Sequence, residues 1–273
     1  MSKVSLENIK NVHMIGIGGS GMCPLAEILL SKGYHITGSD CSESDTLERI
    51  KSYGIKVYMG HYAQNVEGAQ LVVYSAAIKK DNPEMLRAKE LGIETAERSE
   101  ILGWVCDKYA DSVAVSGTHG KTTTTAMLTQ ILIGCNMNPS SIIGGKLPFI
   151  GGNSVVGDSD IMVVEACEYV DTFLRLHPAV SVILNVDADH LDYFKTFDGV
   201  KQSFHQFAAQ TSKLLVINGD DENSRMCTAD IDKEKIFFGF DEKNDYYVSD
   251  YRNDGGTKQS FSLMRDGKML KRI

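Results

Sequence analysis

Apolar residues recur along this chain with two alternating periods, one suited to strands and one to helices. Val12 to Ile17 is a short apolar run that predicts a buried strand, and Met22, Leu25, Ala26, Leu29 and Leu30 then fall on one helix face. Gly33 stands where a helix ends, and Tyr34 to Ser39 predicts a second strand closing at Asp40, which completes a βαβ unit. Leu71 to Ala77 predicts a further strand. Asn82-Pro83, followed by Met85, Leu86 and Lys89 up to Gly92, carries the cap, first-turn proline and terminal glycine of a helix. Arg98 to Cys106 predicts the last helix of this series, and the polar segment Asp107 to Asp111 marks the expected boundary, giving domains over 1–107 and 108–273.

A second series starts with the strand Ser112 to Val115, a glycine loop, and a helix from Lys121 to Ile133. Apolar strands follow at Ile161 to Ala166, Val180 to Val186 and Leu214 to Asn218, with a helix from Gly199 to Ala209 between the last two. Beyond Phe240 the pattern changes to alternating segments broken by Asn253-Asp-Gly-Gly256, which predicts a hairpin. The expected class is therefore α/β: a Rossmann-like parallel sheet, then a P-loop ATPase-type domain. A length of 273 residues suits two domains at roughly 150 residues each.

Composition narrows the possible partners. A net charge of −8 argues against a broad nucleic-acid or anionic membrane surface, which would need clustered Lys and Arg, so any phosphate must be held locally. The first residues lack the apolar core of a signal peptide, and no stretch approaches the roughly 18 apolar residues of a membrane span. The expected address is cytoplasmic. Cys23, Cys41, Cys106, Cys135, Cys167 and Cys227 are scattered without a Cys-x-x-Cys pair, as expected for reduced, mostly packing thiols.

Gly16-Ile-Gly-Gly-Ser-Gly21 satisfies G-x-G-x-x-G between a predicted strand and helix, and Asp40 ends the next strand 19 residues later. Gly16, Gly18, Gly19, Ser20 and Gly21 let backbone amides approach a diphosphate at a helix N-terminus. A dinucleotide and a nucleotide diphosphate sugar both fit. A tight turn that only permits close packing is the alternative.

The loop Gly117-Thr-His-Gly-Lys-Thr-Thr123 lacks the leading glycine of the usual P-loop, because Val115 holds that position, but keeps Gly120-Lys121-Thr122 at a strand-to-helix junction. Amides from Gly117, Thr118, His119, Gly120, Lys121, Thr122 and Thr123 are expected to cradle the ATP phosphates. The Lys121 ammonium would follow the transferring charge, and the Thr122 hydroxyl would ligate Mg2+. Glu165 closes the run Ile161 to Val164 in the place of a magnesium-binding carboxylate; Glu168 and Asp171, close behind it, read more readily as surface carboxylates. Asn185, Asp187, Asp189 and His190 end the next strand, at the sheet edge where open α/β sheets place their active-site crevice.

These residues together resemble the ATP-dependent Mur ligases of bacterial peptidoglycan synthesis, and within them the alanine-adding branch. The resemblance rests on Gly16 to Met22, Gly38-Ser-Asp40, Ser75-Ala-Ala-Ile78, Glu97-Arg-Ser-Glu100, the short P-loop itself, Glu165-Ala-Cys-Glu168 and Asn185 to Asp192. It implies that Lys121 contacts the γ-phosphate, that Thr122 and Glu165 hold one Mg2+, and that His190 helps hold a second. It also implies that the first glycine loop binds the diphosphate of UDP-N-acetylmuramate, with Asp40, His61 and Ser75 as further substrate contacts. The implied reaction phosphorylates the muramoyl carboxylate with ATP and delivers the acyl phosphate to the amine of L-alanine. The position aligned with the carbamylated lysine of several sister ligases is Phe204, an omission that fits the alanine-adding branch. The resemblance implies that the second domain is incomplete at its C-terminal end and that the chain is truncated before the family's third domain, so the chain alone is expected to bind ligand with little ligase activity. A sister ligase that reattaches recycled peptide, an NAD-binding nucleotide sensor and folylpolyglutamate-type ligation are the competing expectations.

Overall fold

The computed structural model describes residues 6–147, 150–256 and 258–273. Along the chain run β1 (Asn11–Ile15), α1 (Met22–Ser31), β2 (His35–Asp40), α2 (Asp45–Ser52), β3 (Lys56–Met59), β4 (Leu71–Tyr74), α3 (Pro83–Glu90), β5 (Glu94–Glu97) and α4 (Arg98–Cys106). Then follow β6 (Asp111–Ser116), α5 (Lys121–Gly134), β7 (Ser140–Leu147), β8 (Gly152–Val155), β9 (Ile161–Glu165), β10 (Val180–Ile183), α6 (Leu191–Phe194) and α7 (Phe197–Gln210). The last elements are β11 (Leu214–Asn218), α8 (Glu222–Thr228), β12 (Glu234–Gly239), β13 (Tyr246–Asn253), β14 (Gln259–Arg265) and β15 (Lys268–Arg272).

Contacts divide these elements into two compact units, the first comprising the residues up to Ala110 together with Thr125–Val164, the second Asp111–Thr124 with Glu165–Ile273. In the first unit the strands order as β3-β2-β1-β4-β5, all parallel. This is the order of a Rossmann half, with β1 at the centre and its edge opening where the order reverses. Met14, Ile15, Ile17, Leu25, Ile28 and Leu29 are buried, which puts the apolar face of α1 on the sheet. The antiparallel pair β7–β8, with β9 parallel to β7, groups with this unit. The physical tie is the buried Glu27 of α1: Arg49 of α2 reaches it through Nε at 2.8 Å, and the Ser154 hydroxyl of β8 donates to it at 2.6 Å. Asn153 also donates to the Ser20 carbonyl at 2.7 Å.

The second unit orders its strands β15-β14-β13-β12-β11-β10-β6. β6, β10, β11, β12 and β13 are parallel and β13, β14 and β15 antiparallel, so the sheet is mixed. The expected hairpin is β13–β14. Elsewhere in the second unit Phe173, Phe204 and Phe207 form an aromatic cluster, with Phe173 stacked on Phe207 at 4.6 Å and edge-on to Phe204 at 5.3 Å. Phe204 is thus a packing residue on α7 with no exposed surface.

Several boundaries differ from the sequence expectation. β4 ends at Tyr74, not Ala77, because the Ile78 amide turns back to the Ser75 carbonyl at 2.9 Å. β10 ends at Ile183: the Leu184 amide still donates to the Ser116 carbonyl of β6 at 3.1 Å, but Asn185 turns to the glycine loop. α2, β3, β5, β7, β8 and α8 were not expected; none is longer than 8 residues, and α2 and β5 carry charged residues at half of their positions. The thiols divide evenly: Cys23, Cys106 and Cys227 are buried while Cys41, Cys135 and Cys167 are exposed, all six reduced, so "mostly packing" holds for only half of them.

Candidate active site

β6 delivers the chain to Gly117, whose φ of +140° suits glycine, and a Cβ there would stand 2.9 Å from the Leu184 Cβ. Gly120 has φ +86° and opens directly into α5. Asn185 clamps the loop between these glycines. Its carbonyl accepts from the Thr118 amide at 3.0 Å, its side-chain oxygen from the His119 amide at 2.8 Å, and its side-chain nitrogen donates to the His119 carbonyl at 3.0 Å. The Thr118 hydroxyl accepts from the Asp187 amide at 2.9 Å. Two of the amides expected to cradle phosphate, those of Thr118 and His119, are therefore committed to Asn185. Anion-binding capacity concentrates instead in the opening turn of α5, where N–H groups lack intrahelical acceptors.

Lys121 folds back over this loop. Its ammonium donates to the Gly117 carbonyl at 2.6 Å, to the Thr118 carbonyl at 3.1 Å, and to Glu168, whose carboxylate oxygens lie 2.9 and 3.1 Å away. The side chains of this pair are only 12% and 2% exposed, a partly desolvated setting in which each charge depends on the other. Glu168 is thus no surface carboxylate, contrary to the sequence expectation. Thr122, one residue further along α5, donates its hydroxyl to Glu165 Oε1 at 3.0 Å from the end of β9.

His190 occupies a left-handed conformation, φ +53°, just before α6. Its Nε2 stands 4.0 Å from Glu168 Oε1 and its ring 4.7 Å from that of Tyr169. Asp171, also left-handed, accepts from Tyr193 at 2.7 Å and from Ser203. It therefore braces α6 and α7 against the segment after β9. Lys121, Thr122, Glu165, Glu168 and His190 accordingly gather at the carboxyl ends of β6, β9 and β10. Among the described residues no three His, Cys, Asp or Glu side chains form a metal cage by themselves. The Thr122–Glu165 pair still presents two hard oxygen donors in contact, the set that suits a magnesium ion completing its shell with phosphate and water.

The other glycine loop lies in the first unit. Gly16, with φ +74°, donates its amide to the Ser39 carbonyl at 2.8 Å, and the Gly19 amide bonds back to Gly16 at 3.0 Å. Asp40 Oδ2 accepts from the Gly18 amide at 2.9 Å and its other oxygen from the Ser42 amide at 3.2 Å, so this carboxylate braces the loop. Gly21 stands at the N-terminus of α1, and a Cβ on it would lie 3.2 Å from the Arg98 guanidinium. That arginine beside a helix N-terminus was missed; its only sequence signal was its place in Glu97-Arg-Ser-Glu100. His61 follows Gly60, which needs φ +89° to bring its amide to the Asp40 carbonyl at 2.7 Å. Ser75 opens the turn after β4, whose Ile78 would stand 3.7 Å from a Cβ on Gly16.

Residues 11–110 match the model of the Mur ligase family catalytic domain, and residues 115–271 match that of the Mur ligase middle domain. The chain belongs to the Mur ligase family. It is 45% identical over 270 residues to the UDP-N-acetylmuramate–L-alanine ligase of Caldanaerobacter subterraneus subsp. tengcongensis, covering 98% of this chain and 59% of that protein. The same enzyme of Alkaliphilus metalliredigens is 41% identical over 96% of this chain and 57% of its own length. This Mur ligase chain thus spans under two thirds of the curated relatives it matches. Among solved structures, the UDP-N-acetylmuramate-alanine ligase of Thermotoga maritima aligns with TM-score 0.82 at 26% identity, over 97% of this chain and 60% of that one. The UDP-N-acetylmuramate:L-alanyl-γ-D-glutamyl-meso-diaminopimelate ligase of Neisseria meningitides aligns with TM-score 0.85 at 25% identity, over 97% and 87%. No helix among the described residues is long and apolar enough to cross a membrane.

Proposed function

We propose that this Mur ligase chain supplies the ATP-binding and UDP-sugar-binding parts of a cytoplasmic UDP-N-acetylmuramate:L-alanine ligase. The observation that carries the reading is the meeting of Lys121, Thr122, Glu165, Glu168 and His190 at one sheet edge. The identities of 41 and 45% to alanine ligases favour that substrate over the recycled-peptide alternative, which rests on a structural likeness at 25% identity.

ATP binding would exchange the internal partners of Lys121 for phosphate oxygens. The ammonium leaves the Gly117 and Thr118 carbonyls and follows the γ-phosphoryl group as it passes to the muramoyl carboxylate. The amine of L-alanine then attacks the acyl phosphate carbon, forming the amide and expelling phosphate. Each step gathers negative charge where Lys121 and the first turn of α5 are placed to oppose it, the electrostatic task that dominates phosphoryl transfer. A magnesium ion held by Thr122 and Glu165 would neutralise phosphate charge; His190 is the proposed holder of a second. In the first unit the amides of Gly16 to Gly21, with Arg98, would hold the diphosphate, while Asp40 shapes the loop and His61 and Ser75 line it. No NAD is required.

Calorimetry separates this reading from its rivals. UDP-N-acetylmuramate and Mg-ATP should each bind the chain, and tight NADH binding without response to the UDP-sugar would replace it with the sensor reading. We further infer that the chain alone releases little ADP in response to L-alanine; turnover at the rate of a complete ligase would refute that.

A further inference from the structure

Behind the first glycine loop a carboxylate lies wholly inside the protein. Glu84, in the first turn of α3, has no exposed surface, yet nothing in the mechanism above uses it. Its Oε1 accepts from Asn65 at 2.5 Å and its Oε2 from the Ser39 hydroxyl at 2.7 Å. Two imidazoles flank the same Oε2: His13 Nε2 at 3.6 Å, on the central strand, and His61 Nδ1 at 3.5 Å. Burial opposes ionisation of this carboxyl most strongly, but the His13 imidazole beside it and hydrogen bonds from Ser39 and Asn65 outweigh it and hold the group below the usual glutamate range. It is therefore a carboxylate, and a carboxylate only accepts.

That fact propagates one residue outward. The single hydroxyl hydrogen of Ser39 must point at Glu84, because an ionised oxygen 2.7 Å from a lone pair would otherwise be left unsatisfied in the interior. His61 Nδ1 sits 3.1 Å from the same Ser39 oxygen. With the hydroxyl hydrogen already committed, only an Nδ1–H can make that bond. A neutral imidazole with hydrogen on Nδ1 has a bare lone pair on Nε2. The His61 side chain is 19% exposed, and Gly60 ties it to the end of β2 beside the Asp40-braced loop.

We infer that the buried Glu84–Ser39 relay locks His61 as the Nδ1–H tautomer, so that Nε2 offers a hydrogen-bond acceptor to the ligand of the first unit. His61 then reads a donor, a hydroxyl of the ribose or the imide N–H of the uracil, and has no attraction for diphosphate. Glu84 and Ser39 are positioning residues. The inference about the ligand group rests on the proposed UDP-sugar site; the tautomer does not.

Nitrogen-15 NMR of the histidine rings in the ligand-free chain, recorded about two units above the ordinary imidazole pKa of about 6.5, reads the tautomer directly. His61 should show hydrogen on Nδ1 and a bare Nε2, and Ser39→Ala should shift population toward Nε2–H. A wild-type His61 carrying its hydrogen on Nε2 overturns the relay, whatever the variant does. UDP, 2′-deoxy-UDP and N3-methyl-UDP are then titrated into wild type and His61→Ala. One of the two altered nucleotides should bind wild type about tenfold more weakly than UDP, the worth of one hydrogen bond, with the loss absent in His61→Ala. The deoxy compound identifies ribose and the methyl compound uracil. Equal affinity for all three overturns the donor assignment, whereas failure of UDP itself to bind removes the proposed site while the tautomer stands.

Discussion

Glu168→Gln isolates the contribution of the Lys121 pair, because the amide keeps the volume of the carboxylate and removes only its charge. Breaking a buried pair by neutralising one partner costs about 3–5 kcal/mol where the other charge is stranded. Lys121 is not stranded: it keeps the Gly117 and Thr118 carbonyls at 2.6 and 3.1 Å, and its side chain is 12% exposed. The amide oxygen of the glutamine also accepts. The expected loss is therefore below that range, about 2 kcal/mol, which at a urea dependence of about 2 kcal/mol per molar lowers the unfolding midpoint by about 1 M. Urea titration followed by circular dichroism measures it. Saturating Mg-ATP should narrow the gap between wild type and variant, because phosphate then replaces Glu168 as the partner of the ammonium and the wild type alone must first break the pair. A midpoint equal to that of wild type would refute the claim that the two groups depend on each other. A gap that widens with ATP would show that Glu168 acts on the bound nucleotide and not on the empty loop.

Phe204→Ala should destabilise the second unit by about 3–5 kcal/mol, since its fully buried ring packs edge-on to Phe173 and the cavity cannot refill; a thermal melt indistinguishable from wild type would contradict that packing. Glu84 sets an acid limit. Its folded carboxyl holds a proton less readily than the ordinary glutamate value of about 4.3, so its stabilisation is complete above that pH and is lost as pH falls through the lower folded value; Glu84→Gln should flatten stability against pH in this window. Alkylation should separate the thiols: burial pushes Cys23 and Cys106 up to about 12, so mass spectrometry after iodoacetamide at neutral pH should find Cys41 and Cys135 modified well before either.

The elements nearest to local rules were legible without coordinates. α4 spans Arg98–Cys106 and β11 Leu214–Asn218 as periodicity alone required, and α3 opens with Asn82 accepting from the Glu84 amide at 2.9 Å, the cap that Asn-Pro announced. Gly33 and Gly92 have the positive φ that ends a helix. Both glycine loops and the alternation of strand and helix are likewise properties of short windows, because turn chemistry and side-chain period act over a few residues. Other features depend on partners far apart in sequence. Glu168 reads as a surface carboxylate until β9 and α5 bring it onto Lys121, 47 residues away. Asn185 reads as a ligand-facing side chain until it closes on His119, 66 residues away. Arg98 and Glu84 carried no local sign of their places beside Gly21 and His61. Hydrophobic period specifies which face of an element turns inward, but not which element meets it there. The partners of buried charges are set by strand order and crossover, and those exist only once the sheets have formed.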